Sequence, residues 1–87
     1  MNSNLAALSL DLKRAALGLH NQNIPLAQRF IFESQKRINS SNFVHEKPYI
    51  QTIIRKIDFS VPDNLLMTSQ LIQNYLTVNS LLNKPTL

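Results

Sequence analysis

The chain contains no cysteine and only one glycine among its 87 residues. Without cysteine it has no disulfide framework, no thiol nucleophile and no thiolate ligand for zinc. A single glycine excludes the glycine-rich loops that hold phosphates in nucleotide-binding proteins. We therefore expect no metal and no other cofactor. A cytoplasmic location is the expectation that fits a chain without disulfides.

Charge is missing from one long segment. Residues 64–83 carry no charged side chain, and eight of the nine Lys and Arg lie between Lys13 and Lys56. Helix positions that face water normally carry Lys, Glu or Arg, so this segment is expected to be covered by the fold or by a partner. Its amides, such as Asn74, would be costly in hydrocarbon, and we expect no membrane span.

The composition favours helices, with fourteen Leu and eight Ile against three Val. A chain of this length forms one domain, here residues 1–87. Apolar periodicity predicts helices at about 4–20, 24–39, 47–58 and 62–82. Short connections favour antiparallel neighbours. The expected fold is all-α, either a compact four-helix bundle or two stacked antiparallel helical hairpins.

The first helix has a main apolar stripe and a second, narrower one. The main stripe spans an arc of about 100° and is expected in the core; it holds Leu5, Leu8, Leu12, Ala15, Ala16 and Leu19. Leu10 and Leu17 lie roughly 120° from it, where a flanking helix or a second copy of the chain could cover them. Gly18 is a candidate for a left-handed residue at the helix end.

A capping sequence, Ser60-Val61-Pro62-Asp63, predicts the start of the last helix. Its apolar arc spans about 180° and also includes Thr68 and Asn79. The apolar members are Leu65, Met67, Leu71, Ile72, Tyr75, Leu76, Val78 and Leu82. The opposite face is small and neutral and holds Ser69, Gln70, Gln73, Thr77 and Ser80.

A neutral helix can be buried against a partner with little charge desolvation, and charge depletion marks interface cores. The sequence thus favours a non-enzymatic protein–protein interaction module that associates first with itself, as a homodimer. The candidate interface residues are Leu10, Leu17, Thr68, Tyr75, Asn79 and Leu82. Two alternatives stay open: the last helix could lie in the middle of the bundle, and Asn79 could bond a nearby backbone group instead of fixing register.

Binding to nucleic acid is the second functional hypothesis, since the net charge is +4. Phe32 lies off the core arc of the second helix, with Arg29 and Lys36 beside it. An exposed aromatic ring between cations can stack a base while the cations hold phosphates. Arg55 and Lys56 could extend such a surface. The same ring could instead make an internal cation–π contact or pack against a neighbour.

Arg14 and His20 form an Arg-x5-His pattern. This pattern resembles the short motif of the HEPN family of small helical ribonucleases, and the resemblance implies RNA cleavage by these two residues. On one unbroken helix the two side chains point about 120° apart, whereas a break at Gly18 would change their separation. The chain has no metal-binding spacing and no triad spacing, so an enzyme is not the favoured hypothesis.

Overall fold

The structure, a computed structural model, describes residues 3–41, 43 and 45–82, without the side chains of Ser3 and Leu82. The helices are α1 (Ser3–His20), α2 (Ile24–Ser41), α3 (Pro48–Arg55) and α4 (Pro62–Leu82). No strand occurs among these residues. The prediction of an all-α fold with packed helices is confirmed. None of the described helices is both long enough and apolar enough to cross a bilayer.

Helix α1 lies between α2 and α4 and packs against both. Gly18 of α1 lies against Ala27 of α2, and Arg37 Nε donates to Asp11 Oδ2 over 3.4 Å, so α2 runs antiparallel to α1. A Cβ atom on Gly18 would stand 2.8 Å from the Ala27 nitrogen. Glycine therefore permits this close approach of two backbones. The expectation that Gly18 is a left-handed helix end is wrong: α1 continues beyond it, and Gln22 has the positive φ.

A pair of serines joins α1 to α4. Ser9 Oγ donates to the Ser69 carbonyl oxygen over 2.9 Å, and Ser69 Oγ donates to the Ser9 carbonyl oxygen over 2.7 Å. At the other end of α1, His20 Nε2 lies 3.4 Å from Asp63 Oδ1, so α4 is also antiparallel to α1. The assignment of Ser69 to an outward neutral face is therefore wrong. Each bond of this kind contributes about 0.5–1.5 kcal/mol net and leaves no buried hydroxyl unpaired.

The core is centred on α1 and is completed by residues of α3, of the connector before it and of α4. Its buried members are Leu5, Leu8, Leu12, Ala15, Ala16, Phe43, Ile50, Leu65 and Ile72. Helix α1 supplies five of these, which confirms its predicted main stripe. Helix α3 supplies Ile50 and packs against α4, where the rings of Tyr49 and Tyr75 lie 6.4 Å apart.

The connection between α3 and α4 differs from its prediction. Helix α3 ends at Arg55, earlier than expected, and the chain then turns at Asp58. The Ser60 hydroxyl and backbone N–H both donate to the Asp58 carboxylate, which lowers the pKa of that carboxyl. The Asp58 N–H in turn donates to Asn64 Oδ1 over 2.7 Å. Ser60 therefore stabilises the turn instead of forming the expected capping box.

Candidate protein interface

Helix α4 has one face inside the fold. Its buried residues are Leu65, Thr68, Ser69 and Ile72, which follow the i, i+3, i+4, i+7 spacing of a single helical stripe. Leu65 and Ile72 belong to the core, and Ser69 contacts α1. This stripe fixes the helix on the fold and so decides which of its other side chains remain outside.

A second apolar stripe lies roughly 150° around α4 from the buried one. We call it the α4 seam, and it consists of Met67, Leu71, Asn74, Val78 and Leu81. Its residues are spaced by four, three, four and three, the alternation of a two-stranded coiled coil. Met67, Val78 and Leu81 are 56%, 53% and 67% exposed, and Leu71 is half-buried. The fold therefore leaves an apolar stripe uncovered along most of the helix.

Along most of its length the α4 seam is bordered by uncharged residues, Gln70, Tyr75 and Thr77. Its first end is different, because Asp63 lies one turn before Met67 on the same side of the helix. The Gln70 side-chain amide donates to Asn74 Oδ1 over 2.9 Å on the exposed surface. A partner placed on the seam beyond this first turn would meet no charge of α4 to desolvate, and burial of ions is the largest penalty in such contacts.

Of the residues of α4 named from sequence, the structure places Tyr75 beside the seam. Thr68 is only 3% exposed and is turned into the fold, so a partner would not reach it. Tyr75 and Asn79 are half-buried, and Tyr75 borders the seam. The side chain of Leu82 lies outside the described residues. The predicted arc was too wide to show which of its halves faces inward.

Leu10 and Leu17 of α1 are each 45% exposed. They lie on the side of α1 turned away from its core stripe, as the sequence indicates. The α4 seam lies on the side of α4 away from α1, so the structure does not join these two leucines to it. They form a separate and smaller apolar surface. Single exposed leucines are common on folded proteins, so this surface by itself does not indicate a contact.

Part of the basic surface proposed for nucleic acid comes together around α2. Phe32 is 62% exposed and lines an open groove with Gln35, Lys36 and Asn39. Gln35 and Asn39 also border a second groove that contains Arg55. The fold thus places one aromatic ring and two cations on adjoining surfaces.

The other two basic candidates lie differently. The Arg29 guanidinium carbon stands 5.7 Å from the centre of the Phe30 ring, a cation–π contact within α2. Arg29 is thus engaged with Phe30 rather than with Phe32. Lys56 is exposed and follows the last residue of α3.

The Arg14 and His20 side chains point to different helices. Arg14 stands over the Phe30 ring of α2 at 5.4 Å, whereas His20 contacts Asp63 of α4. Helix α1 is unbroken between them. A break at Gly18, which could have brought the two side chains together, does not occur. The described residues place no shared phosphate-binding position between these two groups.

Comparison of the chain with protein-family models, with curated proteins and with solved structures finds no match.

The seam was missed at the sequence level, although its spacing is readable there. Positions 67, 71, 74, 78 and 81 alternate by four and three in the printed sequence. The interpretation from sequence assigned Met67, Leu71 and Val78 to the same apolar arc as Leu65 and Ile72. A search for two stripes within that arc, each with its own repeat, would have separated them.

Proposed function

We propose that this chain is a non-enzymatic helical protein–protein interaction module that associates with itself through α4. One observation carries the proposal: an apolar stripe at coiled-coil spacing is exposed on a helix that carries no charge beyond Asp63 in its first turn. Such a stripe on a folded monomer marks a surface that is covered in use.

The α4 seam has the energetics of a contact surface. Apolar area removed from water contributes about 25 cal/mol per Å², and the large side chains Met67, Val78 and Leu81 supply most of the exposed area here. The uncharged flanks add little opposing desolvation. The balance favours association over solvation of this stripe.

Helix α4 is also ordered before any partner arrives. The serine pair Ser9–Ser69 and the buried side chains Leu65 and Ile72 hold it on the fold. An isolated helix of two heptads is marginally stable in water, because forming its first turn costs conformational entropy. A partner that bound such a helix would have to offset this cost. That cost is already met within this fold, which is the advantage of a preorganised interface.

The solution mass tests the proposal. A light-scattering measurement on the pure chain is expected to give about twice the 9.9 kDa chain mass at high micromolar concentration, falling on dilution. Added salt is expected to leave this association unchanged or strengthened, because apolar contacts are not screened. A strictly monomeric mass at every concentration would remove the proposal.

Nucleic-acid binding is the second candidate, favoured by the adjoining positions of Phe32, Lys36 and Arg55. The bases of a single strand would stack on the exposed ring, while the two cations approach its phosphates. The contact would be weak, since only a few phosphates could be neutralised.

Retardation of a labelled oligonucleotide at low salt tests this candidate. Binding is expected to fall steeply between about 50 and 200 mM salt, and Phe32→Ala and Lys36→Glu should each reduce it. Lys36→Glu should leave the self-association mass unaltered, because Lys36 lies on α2, away from the seam. Absence of any retardation by the native chain at low salt would end this candidate.

A further inference from the structure

The α4 seam contains one polar position. Asn74 lies at its centre, with Leu71 and Val78 on either side along the stripe. Asn74 Oδ1 accepts the bond from Gln70, and the residue is exposed. A partner that covers the seam must therefore meet an amide in the middle of an apolar surface, and this restricts what the partner can be.

We infer that the partner is a second copy of this chain and that the two α4 seams pair in parallel and in register. This inference rests on the proposed function. In a parallel pair, like positions face each other, so Asn74 of one copy meets Asn74 of the other and the two amides can exchange hydrogen bonds. The seam is then complementary to itself at its apolar positions and at its polar one.

The antiparallel arrangement leaves the amide N–H donors without an acceptor. In heptad notation Leu71 and Val78 occupy a positions, whereas Met67, Asn74 and Leu81 occupy d positions. Antiparallel helices place a positions against d positions, so Asn74 would face Leu71 or Val78 of the second copy. Its Oδ1 would keep the bond from its own chain, but its N–H groups would be buried against an apolar side chain, which is penalised, and a symmetric dimer would contain two such groups.

The rest of the fold is compatible with this pairing. The face of α4 that contacts α1 through Ser69 lies roughly opposite the seam, so the two bundles stand on the outer sides of the paired helices. Gln70 and Thr77 then form the exposed flank of the seam. Tyr75, on the other flank, lies against Tyr49 of α3 in the same chain. None of these flanking positions is charged.

Engineered cysteines test the direction of pairing, because the native chain contains none. Met67→Cys and Val78→Cys place thiols that face each other when Asn74 lies opposite Leu71 in an antiparallel pair, and Leu71→Cys and Leu81→Cys do so when Asn74 lies opposite Val78. In a parallel pair the two positions of either set are about 15–17 Å apart along the axis, whereas a disulfide requires Cα atoms within about 7 Å. Each variant is equilibrated in a glutathione buffer, alone and mixed with the other member of its set, and the products are separated by mass.

Parallel pairing predicts that each variant forms a disulfide with itself and that the mixture contains at least about tenfold less of the mixed product. Gln73→Cys, on the exposed face of α4 beside the seam, is the control and should form little disulfide. A predominance of the mixed product would overturn the parallel arrangement while leaving self-association intact.

The remaining outcomes are equally distinct. A dimer mass with no disulfide from any of these variants, alone or mixed, would overturn the pairing of α4 with α4, and the dimer would use another surface. A monomer mass for the native chain would remove the proposed function itself. In a parallel dimer, adding Asn74→Leu to the cysteine variants is expected to tighten association. It should also raise the amount of mixed disulfide, because the amide pair no longer fixes register.

Discussion

The variant Val78→Asp is expected to run as a monomer at concentrations at which the native chain runs as a dimer. Val78 is more than half exposed in one chain, so the substitution disturbs little of the monomer. In the dimer it would place two carboxylates in an apolar seam. The lost burial and the desolvation of these ions together exceed about 3 kcal/mol, which raises the dissociation constant by more than about 100-fold.

The matched control is Gln73→Asp, which adds the same charge to the same helix at an exposed position outside the seam. Its light-scattering mass is expected to match that of the native chain. Circular dichroism of both variants should retain the native helix content, since Val and Asp differ little in helix propensity. Equal masses for Val78→Asp and the native chain would show that the seam is not the interface.

The second large effect is expected for Gly18→Val, which should lower the free energy of unfolding by about 3 kcal/mol. The new side chain would meet backbone atoms of Ala27 within 3.0 Å, and a backbone cannot move aside as a side chain can. Helices α1 and α2 would have to separate along their contact. For a domain of this size the loss corresponds to a melting temperature lower by at least about 12 °C.

Thermal melts at one fixed protein concentration measure this effect. Ala6→Val, at an exposed position of the same helix, is the control and should cost no more than about 0.7 kcal/mol through helix propensity. The melting temperature of Gly18→Ala should lie between those of the two Val variants. Alanine gains about 1 kcal/mol of helix propensity over glycine, and its side chain causes a smaller clash than valine. If Gly18→Val and Ala6→Val have the same melting temperature, the close contact of α1 and α2 is not as described.

The helices themselves could be predicted from local pattern. The stripe of α1 that begins at Leu5 and Leu8 enters the core as its periodicity indicates. Pro62 opens α4 near the expected position. These features depend on residues within a few turns of each other, so the sequence contains all that is needed to place them.

Gly18 shows where local reasoning was insufficient. Near the end of a helical pattern, a glycine is commonly the left-handed residue that closes the helix. Here it remains helical and gives room for Ala27, which belongs to the next helix. The function of this glycine depends on a neighbour across the fold, and periodicity along α1 contains no information about that neighbour.

The candidate interface was predictable only in part. The absence of charge from residues 64–83 directed the proposal to α4, and Tyr75 borders the seam. Thr68, by contrast, is turned into the fold, while Val78 is left outside. Both lie within one apolar arc of about 180°, and a single helix can bury only the part of such an arc that its neighbours cover.

By itself, the sequence determined that the fold is all-α, roughly where each helix lies, and that residues 64–83 carry no charge. The tertiary structure alone decided that α1 is the central helix, that Ser69 faces it, and that the stripe containing Asn74 faces outward. The physical reason is that periodicity fixes the angle of each side chain around its own axis. Which neighbour stands at that angle is decided by the packing of whole helices against each other.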